Sequence, residues 1–320
     1  MTAPPDLDAL FGSADVTSFL GLPTCEGTEN FSGDIAIIGA PCATPYRSVG
    51  AYCAEGPDAI RAGVRAFAAN LSHHDFETGG PLLPPAINAI DCGNLTGDPA
   101  TPAENRDRIR GAVSQVLDAS AVPIILGGDD SIPIPVFEAF ATHGPVTILQ
   151  IDAHVDWRDS HEDERLGLSS TMRRASEMPH VERIIQVGQR GLGSARPSDV
   201  ADAIGWGVTF ISAEQVARTG IDAAITAIPE GANVIISFDC DALDPSIMPA
   251  VIGRAPGGLH YWGLVALLRG VAARGRIAAF NIVEFMPARD IDGLGALVAG
   301  RSVATALGLM ARQQASSRNA

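Results

Sequence analysis

Eight short runs of apolar, mostly β-branched residues recur along the chain. They read DIAIIG, INAID, VPIIL, VTILQI, RIIQV, VTFI, NVIISF and IAAFNIV. Runs of this length and composition predict β-strands, and several are apolar at successive rather than alternate positions. A strand of that kind is covered on both faces, so the pattern predicts a sheet buried between two layers.

Segments with the helical spacing of apolar residues lie between most of these runs. The clearest cover residues 56–71, 102–119, 260–275 and 293–313. Because strands and helices alternate without an obvious linker, the pattern predicts one α/β domain over residues 1–320, with a central, mostly parallel sheet. We expect residues 1–30 to form an N-terminal extension and the polar residues 313–320 to form a disordered tail.

The composition argues against several classes of protein. Of the 320 residues, 46% are hydrophobic and 18% charged, and the net charge of −15 disfavours nucleic acid, which needs a basic face. No apolar run predicts a membrane span, and the first residues lack a secretory signal. The five cysteines show no C-x-x-C spacing, which fits free thiols in a reducing compartment. We therefore expect a cytoplasmic protein without nucleic-acid or membrane partners.

Acidic and imidazole side chains follow four of the predicted strands, each where the strand ends. They are Asp129 and Asp130 after VPIIL, Asp152, His154 and Asp156 after VTILQI, Asp239 and Asp241 after NVIISF, and Glu284 after IAAFNIV. The carboxyl ends of parallel strands open on one edge of a sheet, so we expect these side chains to converge there.

The segment DAHVD suggests what they would do. It places Asp152, His154 and Asp156 at alternate positions, which point to one side if the segment is extended. The three groups then either neutralise one another or hold a cation, and the second acidic cluster at Asp239 and Asp241 favours a cation. Oxygen-rich ligation without sulfur suits manganese better than structural zinc, and nickel stays open.

Five blocks in order, GGDDS, DAHVDWRD, SFDCDALDPSIMP, APGGL and VEFMP, resemble the signatures of the ureohydrolase family, which includes arginase, agmatinase and guanidinobutyrase. The stretch IGAPCATPYRSVGAYCAEGPDAIR is similar to an early block of that family. The resemblance is agmatinase-like and implies a three-layer α/β/α fold. It also implies trimers or hexamers, and hydrolysis of a small cationic guanidino substrate to urea, or a substituted urea, plus an amine.

The same resemblance implies two divalent metal ions, usually manganese, with a hydroxide between them. Asp152 and Asp239 would bridge both ions, Asp156 would complete one site, and His154 with Asp241 would complete the other. Asp156 and Glu284 are the catalytic candidates, and Glu284 matches the acid that faces the guanidinium. Asp244 matches a structural acid rather than a ligand.

The chain departs from the family where Gly-Gly-Asp-His is usual, since Asp130 stands in the place of the metal-binding His. As a ligand, Asp130 would add one negative charge to the cluster. That charge should hold a cation more firmly while raising the pKa of bound water. The alternative is that Asp130 points elsewhere and the first metal is weak or missing.

A second departure follows DAHVDWRD, where the family's His-Gly pair is replaced within LGLSSTMRR. Ser169 and Ser170 are candidates for orienting the substrate, with a solvated loop as the alternative. Arg158 and Arg173 are candidates for pairing with a substrate carboxylate. Both an agmatine-like amine and a guanidino acid therefore stay open as substrates.

The loss of two family histidines also permits a different class of function. The chain would then be a weakly active or inactive subunit that serves as a structural or regulatory partner in a hetero-oligomer. Against this interpretation stand the ligand candidates and Glu284, because a decayed site has no reason to keep repelling acids together.

Overall fold

A computed structural model describes residues 7–318, which contain one sheet of eight parallel strands. The strands are β1 (Ile35–Ala40), β2 (Ala89–Asn94), β3 (Val122–Gly127), β4 (Val146–Ile151), β5 (Val181–Val187), β6 (Thr209–Ile211), β7 (Asn233–Asp239) and β8 (Arg276–Val283). They lie in the order β2-β1-β3-β8-β7-β4-β5-β6. All eight strands predicted from the apolar runs are confirmed, as is the parallel sheet.

The register of the four central strands sets the position of the polar residues that follow them. Ile151 of β4 pairs with Phe238 of β7, which pairs with Ile282 of β8. Ile282 in turn pairs with Leu126 of β3. Because these four strands end level with one another, the residues just beyond them emerge side by side on one edge of the sheet.

The described residues form ten α-helices, of which eight lie between strands and two flank the sheet at its ends in sequence. They are α1 (Leu7–Phe11), α2 (Gly56–Val64), α3 (Pro102–Asp118), α4 (Pro133–Ala139), α5 (Thr171–Ser176), α6 (Pro197–Trp206), α7 (Ala213–Thr219), α8 (Asp222–Ala227), α9 (Tyr261–Arg274) and α10 (Leu294–Arg318). One core packs α2, α9 and α10 on one face of the sheet. A second core packs α3, α4 and α5 on the other, so the three-layer α/β/α prediction is confirmed.

The C-terminal residues differ from the expectation. Residues 313–318 are not a disordered tail but the last turns of α10, whereas 319 and 320 lie outside the described residues. Gln313 explains the order, because its amide donates to the carbonyls of Ala272 at 2.9 Å and Gly275 at 2.7 Å. Its side-chain oxygen accepts the backbone N–H of Ile277 at 3.0 Å. These contacts tie the helix end to the neighbouring α9–β8 turn.

By length and composition, α10 is the one helix among residues 7–318 that is apolar enough to cross a membrane. However, 83% of its most apolar stretch of 18 residues is buried inside the protein. It packs against α2 and α9 in the first core, as a core helix of a globular domain does.

Candidate functional site

The loops after β3, β4, β7 and β8 bring the predicted site residues to one cavity of about 220 Å³. Five acids at this edge of the sheet are 1% to 5% exposed, namely Asp130, Asp152, Asp239, Asp241 and Glu284. Burying so many carboxyl groups together is costly unless each finds a proton, a hydrogen-bond donor or a cation. The cavity is therefore a functional candidate on electrostatic grounds.

Two groups of metal-ligating side chains meet at Asp152. Asp130, Asp152 and Asp239 form one, and Asp152, His154 and Asp241 form the other; within each, the ligand atoms lie within 4.8 Å of one another. Five of the six predicted ligands are thus brought together, and Asp152 is common to both groups. Asp156 belongs to neither group, and Asp239 to one only.

The chain after β4 is not extended, as the alternate spacing predicted, but turns sharply. The backbone N–H of His154 donates to Asp152 Oδ1 at 2.6 Å. Asp156 has a φ of 48°, in the left-handed region that non-glycine residues rarely adopt. Asp152 and His154 therefore converge because a turn folds them together, not because a strand alternates.

The loop after β7 uses a similar turn. The backbone N–H of Asp241 donates to Asp239 Oδ1 at 2.6 Å, which opens a short 3-10 turn over Cys240–Ala242. Cys240, between the two acids, is fully buried and packs in the first core. Asp244 accepts backbone N–H groups from Ser246 at 3.0 Å and Gly257 at 2.9 Å, in line with a structural acid.

Two glycines bring the first acidic pair to this edge by allowing close approach. Neither Gly127 nor Gly128 has a positive φ, so a turn does not require them. A Cβ at Gly128 would instead lie 1.9 Å from the carbonyl oxygen of Pro41. Any larger residue would push the β3 loop away from the β1 loop and displace Asp130.

His154 links the two carboxylates of its group. Its Nδ1 lies 2.9 Å from Asp241 Oδ2 and 3.4 Å from Asp152 Oδ1. Burial by itself would lower the pKa of His154, but the hydrogen bonds and charges of these two acids outweigh it and raise the pKa to about 12. The pKa of Asp241 is shifted in the opposite direction. Burial would raise this pKa, but the hydrogen bond and the charge of His154 hold it below the usual value.

The other acids lack a partner of opposite charge within residues 7–318 and repel one another. Burial, followed by the charges of neighbouring carboxylates, raises the pKa of Asp130, Asp156 and Asp239 well above the usual value. Asp130 Oδ2 is buried without a hydrogen-bond partner. Divalent cations would satisfy such oxygens and cancel their repulsion, so the donor set fits a pair of metal ions.

Glu284 stands beside these groups and is held from two directions. The Tyr52 hydroxyl lies 2.7 and 2.6 Å from its two carboxylate oxygens, and the backbone N–H of Asp130 donates to Oε1 at 3.0 Å. Its φ of 64° is again left-handed. Burial raises the pKa of Glu284 to about 8, against the lowering effect of the Tyr52 bond. Backbone strain of this kind concentrates at functional sites.

Tyr52 and Gln150 were not among the residues predicted from the sequence. The Gln150 amide nitrogen lies 2.7 Å from Asp152 Oδ2 and 2.7 Å from Asp156 Oδ2, so it supports two of the acids. Gln186 donates to the Gln150 side-chain oxygen and to the Val155 carbonyl. A glutamine inside each of the apolar strands β4 and β5 was a usable signal. Tyr52 lies in a loop with no periodic pattern to single it out.

The candidates for substrate binding separate in the structure. Ser169 lines the cavity, and its backbone N–H donates to the Tyr46 hydroxyl at 3.2 Å. Ser170 is fully buried behind it and does not line the cavity. Arg173 faces away, with its guanidinium 3.4 Å from Asp202 and 3.5 Å from Glu177. The assignments of Ser170 and Arg173 to substrate binding are therefore corrected, because burial and ion pairing respectively occupy them.

The sequence model of the Arginase family matches residues 33–308. Proclavaminate amidinohydrolase from Streptomyces clavuligerus is 28% identical over 294 residues, or 89% of this chain and 90% of the relative. Guanidinopropionase from Pseudomonas aeruginosa is 28% identical over 332 aligned positions, or 98% of each chain. The solved structure of the S. clavuligerus enzyme has a TM-score of 0.79 at 26% identity, covering 94% of this chain and 98% of its own.

Proposed function

The chain belongs to the Arginase family, whose members are hydrolases of guanidino carbon–nitrogen bonds, and on that premise we propose that it cleaves a guanidino compound to urea, or a substituted urea, and an amine. The resemblance seen in the sequence blocks is thereby confirmed at the level of family and reaction class. The observation that carries the proposal is the pair of ligand groups sharing Asp152, with Glu284 fixed beside them.

The family is binuclear and metal-dependent, and the chain's residues fit two ions. Asp130, Asp152 and Asp239 would hold one, with Asp156 alongside, and Asp152, His154 and Asp241 would hold the other. Bound divalent ions lower the pKa of water, which makes a nucleophile available near neutral pH. We propose manganese as the ion, with nickel as the second choice, because five of the six ligands are carboxylates and none is sulfur.

Glu284 supplies the counter-charge for the guanidinium. A planar cation with several N–H donors matches a two-oxygen acceptor, and Tyr52 and the Asp130 N–H fix how the carboxylate is presented. Asp156, held by Gln150, is placed to accept the proton that the attacking water gives up. The water oxygen bonds to the guanidinium carbon, the carbon–nitrogen bond breaks, and the amine leaves with the proton that Asp156 accepted.

The cellular location and the oligomeric state are proposed from the sequence alone. Five free cysteines support a reducing compartment, and we propose a cytoplasmic homo-oligomer, either a trimer or a hexamer, by resemblance to the family. The alternative of a weakly active partner subunit stays a prediction. The convergence of the acids on Asp152 favours the enzyme, because a partner protein gains nothing from a repulsive buried cluster.

The test is to load the purified protein with Mn²⁺ or Ni²⁺, measure the bound ions by elemental analysis, and follow urea release from a panel of guanidines. We expect about two ions per chain and turnover of at least one guanidine. Glu284→Gln should weaken apparent substrate affinity roughly 10- to 100-fold, the effect of losing a charged hydrogen bond. Glu138→Gln, at a surface ion pair, is the matched control.

Two results would count against the enzyme. A fully loaded protein that releases no urea from any guanidine would reject the proposed function. Urea release that appears only after mixing with a second, His-containing chain would instead support the partner-subunit alternative.

A further inference from the structure

Arg158 is the one arginine or lysine among the described residues that line the cavity. The other charged groups there are His154 and a set of acids. Within residues 7–318 no carboxylate lies within 4.0 Å of its guanidinium, and its one side-chain contact is between Nη1 and His161 Nδ1 at 3.1 Å. A cation without an anionic partner therefore faces a cavity that otherwise attracts cations.

The arginines nearby are all engaged, so the lack of a partner for Arg158 is specific. Arg174 lies 3.0 Å from Asp159, and Arg173 lies 3.4 Å from Asp202. Asp199 also lines the cavity, but it already pairs with Arg196 at 3.0 Å. The one cavity acid outside the metal and guanidinium sites is thus neutralised, which leaves Arg158 as unbalanced positive charge.

The residues that line the cavity differ in their exposure to solvent. The acids around Asp152 are almost fully buried, whereas Arg158 and Leu168 are half-buried and Ile252 is 37% exposed. Val155, Leu168 and Ile252 are apolar members of the same wall. A ligand that fits this lining has a cationic end among the buried acids, an anionic end at the half-buried Arg158, and aliphatic atoms that contact the apolar residues.

The local structure holds Arg158 in place. Its backbone N–H donates to the carbonyl oxygen of Ser169 at 3.0 Å, which joins the two ends of the loop between β4 and α5. The ring of His161 stands edge-on to Tyr46 with centroids 4.8 Å apart, and so backs the guanidinium. Less side-chain freedom is then lost when an anion binds.

We infer that Arg158 binds the carboxylate of the substrate, so that the enzyme acts on a guanidino acid rather than on a guanidino amine. The inference rests on the proposed function only for where the guanidinium end of the substrate binds. A carboxylate can accept two N–H groups from the planar guanidinium of Arg158. An agmatine-like substrate would place a second cation beside Arg158 and meet repulsion there.

The first experiment compares turnover of three guanidines of equal length: γ-guanidinobutyrate, its neutral carboxamide, and aminobutylguanidine. We expect kcat/KM in the order acid, amide, amine. Arg158→Gln should reduce kcat/KM for the acid roughly 10- to 100-fold while changing that for the amide little. Arg158→Lys keeps the charge and should retain part of the preference. Arg165→Gln removes a surface arginine of the same loop and should leave all three values unchanged.

Comparing the acid with the amide distinguishes a substrate-binding role of Arg158 from a structural role. If Arg158 only supported the loop, Arg158→Gln would reduce kcat/KM for acid and amide equally, and the inference would be wrong. A wild-type protein that prefers aminobutylguanidine to the acid would overturn the inference as well.

The second experiment measures binding to the metal-free protein by calorimetry, where turnover does not interfere. The wild type should bind γ-guanidinobutyrate roughly 10- to 100-fold more tightly than the amide, and Arg158→Gln should bind the two alike. This binding result would support the carboxylate site even if the metal-loaded enzyme hydrolysed none of the guanidines. Such a lack of hydrolysis would reject the proposed function but not the carboxylate site. Equal binding of acid and amide by the wild type would reject the carboxylate site even with urea released.

Discussion

The Tyr52 hydroxyl is within hydrogen-bond distance of both carboxylate oxygens of Glu284, at 2.7 and 2.6 Å, although the two residues lie 232 positions apart. Tyr52 follows β1 and Glu284 follows β8. Burial and the Glu284 charge raise the pKa of Tyr52, so the phenol stays protonated and donates. The pair fixes the acid that we propose for guanidinium binding and also sets how easily that acid ionises.

Tyr52→Phe removes this donor without changing the ring. Because the Tyr52 bond lowers the pKa of Glu284, its loss should raise that pKa further. The pH at which kcat/KM rises should then move upward, and kcat/KM near neutral pH should fall about tenfold. Full pH profiles of the two proteins measure this.

Tyr261→Phe is the control, since that hydroxyl contacts Glu77 far from the cavity. Superimposable profiles for Tyr52→Phe and the wild type would mean that the backbone N–H of Asp130 alone governs Glu284.

Asp130 stands where the family resemblance implies a histidine, and its Oδ2 is buried without a partner. Asp130→His removes one negative charge, so the nucleophilic water should ionise more easily and the pH at which activity rises should move down. Asp130→Ala should weaken one metal selectively, with the content falling towards about one ion per chain. Elemental analysis and pH–rate profiles check both variants.

If both variants kept the parent's metal content and pH profile, Asp130 would be a bystander. The first ion would then depend on Asp152, Asp156 and Asp239.

Gln150 donates to Asp152 and Asp156 at 2.7 Å each. Gln150→Leu leaves both carboxylates without this donor, and the metal affinity should fall about 10- to 100-fold, as is usual for groups that orient ligands. Metal titration by calorimetry gives the affinity. Gln115→Leu makes the same chemical change on α3, where the side chain contacts Thr28 instead, and should not alter it.

The metal-free protein should lose stability as pH rises. Asp130, Asp152, Asp156 and Asp239 have pKa values raised above normal, and that of Glu284 is raised to about 8. The folded state therefore binds more protons than the unfolded chain. The stabilisation is complete below the unfolded values near pH 4 and is lost as pH rises through the folded ones, up to about 8 for Glu284.

Thermal unfolding in a chelator between about pH 5 and pH 8 tests this, with the Tm expected to fall steadily. Asp241, whose pKa is lowered, is ionised in both the folded and the unfolded state over this range and does not contribute to the trend. Loading the metals should abolish the fall, because the ions replace the protons. A Tm that rises with pH in the metal-free protein would contradict the raised pKa values.

The pattern of residues along the chain was enough to predict the sheet and the acids at its edge. Strand formation and burial on both faces depend on local periodicity, which the apolar runs display directly, so all eight strands were predictable. Because parallel strands share one carboxyl edge, residues such as Asp152 and Asp239 could be assigned to one site before their separation was known.

Which side chains contact those acids could not be predicted from the pattern and depends on how the loops pack. Tyr52 reaches Glu284 across the sheet, and Arg158 rather than Arg173 faces the cavity because Asp202 and Glu177 draw Arg173 away. Arg158 lies in the loop after β4 and Arg173 in α5, and two identical residue types fifteen positions apart give no periodic signal to distinguish them. Partner choice depends on contacts between distant segments, and these form only when the loops pack.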